Sequence, residues 1–169
     1  MRAVIWTQGC SLSCPGCFNP QTHPTSGGGN IQVLDLFQRI VELGPAIEGI
    51  TLSGGEPLQQ RRELIEFLAL IRAQTGLSVI LFTGHTLDEL EGMPDADRLL
   101  ACVDVLIAGR YVAAARVAHG LRGSSNKSIQ FLTPRYSLAD LDRVPDAEVI
   151  IGPEGTIRIS GMEPPHLRG

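Results

Sequence analysis

Cys10, Cys14 and Cys17 fall in the stretch Cys10-Ser11-Leu12-Ser13-Cys14-Pro15-Gly16-Cys17, directly after the apolar run Ala3-Val4-Ile5-Trp6. Thiolates this close on one loop can converge on one metal centre, and soft sulfur selects iron–sulfur clusters, zinc or copper(I). Three sulfur ligands on a four-iron cluster leave one iron open, where a small molecule can bind and react. Two other chemistries fit parts of the pattern. Cys14-Pro15-Gly16-Cys17 beside a strand reads as a thioredoxin-like redox pair. That reading leaves Cys10 without a role, and Pro15-Gly16 does not favour a helix opening at the first cysteine. A zinc site would recruit His23 as its fourth ligand. A second motif, Ser53-Gly54-Gly55-Glu56-Pro57, joins a strand to a helix. Its glycines allow backbone to approach a ligand closely, and Pro57 suits a helix start. Taken alone it is also what any tight strand-to-helix turn requires.

These residues need a scaffold, and hydropathy periodicity supplies one. Strands are expected at Arg2 to Thr7, Gly49 to Ser53, Ser78 to Thr83, Asp104 to Ala108 and Ser128 to Leu132. Between them, helices are expected from Val33 to Leu43, with Leu34, Phe37, Ile40 and Val41 on one face, and from Gln60 to Gln74, with Leu64, Phe67, Leu68 and Ile71 inward. Thr86 and Glu89 have the spacing of a capping box. A short helix from Leu138 to Val144 precedes a hairpin of Val149 to Ile151 and Ile157 to Ser160, turning through Pro153-Glu154-Gly155. Apolar strands separated by helices make a mostly parallel α/β sheet, and such sheets gather ligands at the carboxyl ends of their strands. Cys10 to Cys17, Gly54 to Pro57, Thr83-Gly84-His85 and Gly109-Arg110 follow four successive strands, so all four motifs land on one rim.

Length and composition bound the rest. At 169 residues, the sequence reads as a single domain over 1–169, with a core over about 2–133 and a C-terminal helix and hairpin over about 137–161. A net charge of −4 gives no nucleic-acid or membrane-surface footprint. No apolar run matches a membrane span, and the first residues read as a strand rather than a signal peptide, so a cytoplasmic protein is expected. Four cysteines, three of them clustered, do not suggest a disulfide framework. Cys102 reads as a small buried apolar residue, and His85, His119 and His166 as surface or loop residues.

Cys-x3-Cys-x2-Cys after the first strand together with Gly-Gly-Glu after the second resembles the radical S-adenosylmethionine superfamily. The resemblance implies an incomplete, open (β/α) barrel in which Cys10, Cys14 and Cys17 hold a [4Fe-4S] cluster. It also implies that the open iron chelates the amino and carboxylate groups of S-adenosylmethionine, with Ser53, Gly54, Gly55 and Glu56 at the methionyl amino group. Reductive cleavage would give methionine and a 5′-deoxyadenosyl radical. Cys14-Pro15-Gly16-Cys17-Phe18-Asn19 and Arg122-Gly123-Ser124-Ser125-Asn126 are further similar to the small activating enzymes of anaerobic ribonucleotide reductase. Those enzymes place a glycyl radical on a large partner and draw an electron from a donor such as flavodoxin or ferredoxin. The sequence departs from that pattern at Ala108-Gly109, where Asp-Gly is frequent, and at Lys127, where glutamine is common. An orphan enzyme acting on another protein, a peptide or a small molecule is the neighbouring reading. A non-catalytic iron–sulfur or thiol redox module is the reading of another class, and it has no need for the Gly54 to Pro57 turn. By the same resemblance Thr83 would reach the cofactor ribose, Arg110 its carboxylate, and Asn19 the cofactor or its own loop. Thr83 reads equally as a strand-end cap, Arg110 as a solvated arginine. Ser124 and Asn126 read as turn residues or as cofactor or partner contacts.

Overall fold

The computed structural model describes residues 1–161, so His166 lies outside the described residues. In chain order the elements are β1 (Arg2–Thr7), α1 (Val33–Glu42), β2 (Gly49–Gly54), α2 (Arg61–Gln74), β3 (Ser78–Thr83), α3 (Leu87–Glu91), α4 (Ala96–Leu100), β4 (Val105–Ala108), β5 (Arg116–His119), β6 (Arg122–Ser124), β7 (Ser128–Phe131), α5 (Leu138–Asp142), β8 (Ala147–Ile151) and β9 (Ile157–Gly161). One five-stranded sheet carries β1, β2, β3 and β4 side by side and parallel, with β7 antiparallel against β4. β5–β6 and β8–β9 are separate antiparallel hairpins. The protein is thus α/β, with a mostly parallel sheet and a C-terminal antiparallel hairpin.

Parallel strands in sequential order, each joined by a right-handed crossover, put their helices on one face. The packing follows that rule. Ile50, Leu52, Val79, Leu81, Leu106 and Ala108 point to the helix side, where they meet Ile40 of α1, Leu64, Phe67, Leu68 and Ile71 of α2, and Leu99 of α4. Each such side chain, fully buried, contributes about 1.5–3 kcal/mol relative to exposure. The alternate residues Ile80, Val105 and Ile107 face the other way and pack with Leu141, Leu121, Ile129 and Tyr136. On that second face β1 presents Val4 and Trp6, which stay 50% and 57% exposed.

Most expected elements form within a residue or two of their expected bounds. The inward face of α1 is different from the expected one. Leu34 and Val41 are exposed, and Val33, Leu36, Phe37 and Ile40 pack on the core. Both sets have helical spacing, and only docking against α2 selects one. Cys102 is only partly buried and rests against the main core rather than inside it. Asp104 lies just before β4 and ties together β3, α2 and the segment after β7. Its carboxylate accepts the Val79 N–H at 2.7 Å and the Thr133 hydroxyl at 2.6 Å, with Arg72 at 3.0 Å. Burial acts to raise the Asp104 pKa, but the bonds from Thr133, Val79 and Arg72 prevail and hold it below the usual carboxylate range. At the amino ends of the strands, Arg2 fills the second face. It donates to Thr51 Oγ1 at 3.0 Å, Ser78 Oγ at 2.7 Å and Tyr136 Oη at 2.9 Å, and its guanidinium lies 5.7 Å from the Tyr136 ring centroid.

Candidate iron–sulfur and cofactor site

The carboxyl ends of β1 to β4 carry the residues singled out by spacing. Cys14 to Cys17 forms a tight turn, closed by the Cys17 N–H on the Cys14 carbonyl at 3.1 Å. Gly16, at φ +71°, supplies the left-handed residue that follows proline in a type II turn. Cys17 Sγ accepts the Asn19 N–H at 3.4 Å, the kind of bond that tunes a sulfur bound to iron. The Asn19 carbonyl in turn accepts the Thr22 amide at 3.0 Å and hydroxyl at 2.7 Å, so Asn19 orders the loop through its main chain.

The cysteine loop and the Gly-Gly-Glu turn are one backbone assembly. Gly55 N–H donates to Thr7 O at 2.8 Å and Glu56 N–H to Gly9 O at 2.9 Å. Gly9 and Cys10 amides continue the ladder to the carbonyls of Thr22 and His23. The glycines are needed for this approach. Gly54 has φ +103°, and a Cβ there would stand 2.5 Å from Thr7 O; one on Gly55 would stand 2.3 Å from Gly9 O. Glutamine side chains strap the loop from outside. Gln8 Nε2 donates to the carbonyls of Gln21, Pro24 and Ser26, Gln60 Nε2 to Gln8 O, and Gln59 pairs with Ser11. On the far side Phe18 lies between Tyr111, at 4.6 Å between ring centroids, and the Arg116 guanidinium, at 4.5 Å. Sequence reading missed these glutamines and this stack. Nothing in periodicity marks an exposed amide or an aromatic whose partner is a hairpin far along the chain.

Glu56 is 1% exposed. Its Oε1 accepts the Leu58 N–H at 2.9 Å and the Thr83 hydroxyl at 2.8 Å, and its Oε2 accepts the Gly84 N–H at 2.7 Å. The carboxylate therefore joins the ends of β2 and β3 and caps the 3₁₀ turn Pro57–Gln60. Thr83 Oγ1, besides donating to Glu56, accepts the His85 N–H at 3.0 Å. The structure brings Glu56 and Thr83 together as a buried pair. Ser53 lies one residue before this turn, with its carbonyl accepting the Thr7 hydroxyl at 3.1 Å.

Arg110 leaves the end of β4 and turns toward α3. Its two terminal nitrogens meet Glu89 at 2.7 and 2.9 Å, and one also donates to the Gly84 carbonyl. Glu89 is simultaneously the carboxylate of the Thr86 capping box. The Arg110 bonds and the Thr86 N–H hold the Glu89 carboxyl down to about 2. A depressed folded-state pKa stabilises above the unfolded carboxylate value of about 4.3 and is lost as pH falls toward 2. Denaturant midpoints measured across that window should fall less steeply in Glu89→Gln than in the unsubstituted protein; parallel curves would show that the pairing adds nothing. Asn126 Nδ2 donates to the Arg110 carbonyl at 2.9 Å, and the buried Ser124 Oγ accepts the Val112 N–H at 3.3 Å. His85 has 17% of its side chain exposed and lies 3.4 Å from Glu89, whereas His119 is a surface residue near Asp142 and Asp146.

The donor set suits an iron–sulfur cluster. All three loop cysteines are free thiols, each partly accessible, and burial pushes the Cys10 thiol up. Among the described residues no three His, Cys, Asp or Glu side chains are gathered into a metal-holding group, the three loop cysteines included. Three thiolates spaced over one short loop are the ligand chemistry that an iron–sulfur cluster takes, and an iron–sulfur protein is the class this loop defines. Comparison with known proteins gives the same answer. The family model for the 4Fe-4S single cluster domain matches residues 1–130. An anaerobic ribonucleoside-triphosphate reductase-activating protein of Escherichia coli K12 is 30% identical over 138 residues, covering 78% of this chain and 88% of that one. Its counterpart in Enterobacteria phage T4 is 28% identical over 132 residues, 76% and 82% of the two chains. The pyruvate formate-lyase-activating enzyme of Clostridium pasteurianum is 36% identical over 78 residues, 44% of this chain but only 33% of its own length. The chain belongs to the 4Fe-4S single cluster domain family, among the radical S-adenosylmethionine activating enzymes.

Proposed function

We propose that this chain binds S-adenosylmethionine at a [4Fe-4S] cluster held by Cys10, Cys14 and Cys17, and cleaves it reductively to generate a glycyl radical on a large partner such as anaerobic ribonucleotide reductase. The observation that carries this is the hydrogen-bonded joining of the cysteine loop to the Gly54-Gly55-Glu56 turn, because a simple electron carrier has no use for the second motif. When bound, the cluster supplies the electron that breaks the sulfonium bond, the electron itself coming from a flavodoxin or ferredoxin. The protein's own part is to hold and orient. The backbone of Ser53, Gly54 and Gly55 would face the methionyl ammonium, the Ser53 carbonyl also accepting the Thr7 hydroxyl. Glu56 adds negative charge beside them, although three of its roughly four acceptor positions serve its own chain. Thr83 acts by fixing Glu56. Arg110 retains Nε and one terminal N–H toward a carboxylate, and Asn19 keeps the loop in shape.

In this reading the five-stranded sheet is an incomplete, open barrel wall, the chain works as one domain over 1–169, and its setting is the cytoplasm. Among the described residues no helix is long and apolar enough to cross a membrane. The exposed Val4 and Trp6 at the edge of the sheet leave a lateral apolar approach suited to a protein segment bearing the target glycine. Anaerobic reconstitution with iron and sulfide tests the proposal. A brown protein that yields 5′-deoxyadenosine with dithionite, and more of it with the partner present, is the expected result. A colourless dithiol that reduces disulfides would replace this reading with the redox module. Multiple turnover on a free small molecule would replace the partner with a diffusible substrate.

A further inference from the structure

Lys127 is the only lysine in the sequence and stands at the same rim, immediately before β7. Its Nζ donates to the Gly109 carbonyl at 2.6 Å, and its amide donates to Ser124 O at 3.3 Å. Gly109 N–H in turn donates to Thr83 O at 3.2 Å, and Thr83 holds Glu56, so the ammonium is tied to the floor of the site by two short links. An ammonium has three donors, and the Gly109 bond uses one. The side chain is half-buried, which spares its charge most of the screening that a surface lysine meets. The charges acting on it are those of the site. Burial lowers its pKa, while Cys14, Glu56 and Cys17 act to raise it and Arg110 opposes them. Of the other cations near the loop, Arg110 is paired with Glu89 and the Arg116 guanidinium lies over the Phe18 ring, 4.5 Å from its centroid.

We infer that Lys127 is a positioning residue that sets a fixed positive charge at the rim that carries the cluster loop and makes the bound cluster easier to reduce. The inference rests on the proposed function, since it presupposes a cluster on Cys10, Cys14 and Cys17. One-electron reduction adds a negative charge to a centre already carrying three thiolates. A nearby, poorly screened cation favours the reduced form over the oxidised one, and net charge around a cluster is one of the levers on its potential. Arg2 and Arg72 lie away from the rim and cannot substitute.

The test is a potentiometric titration of the reconstituted full chain, followed by electron paramagnetic resonance without S-adenosylmethionine. Lys127→Met and Lys127→Gln should lower the ratio of reduced to oxidised cluster at a given potential about tenfold, equivalent to about 59 mV for a one-electron couple. Glutamine can still donate to the Gly109 carbonyl, so a shift in both variants identifies the charge rather than the anchoring bond. Lys127→Arg should restore the midpoint. Full iron and sulfide content with an unchanged midpoint in both neutral variants would overturn the inference. So would weaker binding of S-adenosylmethionine without a shift, which would make Lys127 a cofactor ligand. An unsubstituted protein that takes up no cluster overturns the proposed function beneath it, and is seen before any variant is compared.

Discussion

Cys10→Ala, Cys14→Ala and Cys17→Ala proteins, reconstituted anaerobically, should each lose the [4Fe-4S] cluster and form no detectable 5′-deoxyadenosine. Each thiolate would hold one corner of the cluster, and an alanine methyl offers iron no ligand there. His23 accepts the Cys10 N–H with its backbone carbonyl at 2.9 Å. Loss of fold cannot account for the effect, because the three side chains are partly exposed and none is in the hydrophobic core. Substitutions at such positions change stability by about 0.5 kcal/mol or less. Thermal unfolding of the metal-free variants should therefore match that of the metal-free parent. Cys102→Ala, remote from the rim, is the control and should keep its iron. A Cys10→Ala protein with full cluster content and undiminished cleavage would leave a two-cysteine redox site as the better account.

The second large effect is expected at a residue with no side chain. In Gly55→Ala the new methyl carbon would meet the Gly9 carbonyl oxygen at 2.3 Å, and backbone cannot yield as a flexible side chain does. Relief requires β1 and the cysteine loop to move away from β2, which strains both the Gly55–Thr7 and Glu56–Gly9 hydrogen bonds. Overpacking costs about 1–3 kcal/mol, and each hydrogen bond contributes about 1 kcal/mol net. A loss of about 3 kcal/mol in unfolding free energy is expected, together with reduced cluster occupancy, measured by denaturant titration and iron analysis on the same preparation. Gly29→Ala, where an added Cβ meets nothing within 4 Å, should leave both unchanged. Parent-like stability in Gly55→Ala would mean that the two loops are not rigidly joined.

The strands and α2 were legible because their apolar residues repeat at periods that only one element satisfies, as Leu64, Phe67, Leu68 and Ile71 show. The capping boxes at Thr86 and Ser137 form as local sequence allows, Ser137 with an aspartate at the third helical position in place of the usual glutamate. Where local sequence permits two answers, tertiary contact decides. Leu34 and Val41 have the right spacing for the inward face of α1 and are exposed. The reversal of β7, the short α4 and the β5–β6 hairpin carry no strong periodic signal, being only three to five residues long. Within the site, residue types announced the thiolates and the turn. They could not announce that Glu56 spends its oxygens on Leu58, Thr83 and Gly84, or that Arg110 pairs with Glu89. Those are long-range or mutual choices among groups that have several possible partners.

Arg2 reaches Thr51 and Ser78 on two neighbouring strands and Tyr136 in the segment leading to α5. A hand fan riveted at its base opens only at the tips, and the sheet is riveted here. Any breathing that admits a bulky guest must spread the loops above β1 to β4 while the strand roots stay shut. Amide hydrogen exchange should then be slowest around Ile50 and Val79 and fastest across the Ser11–Gly29 stretch.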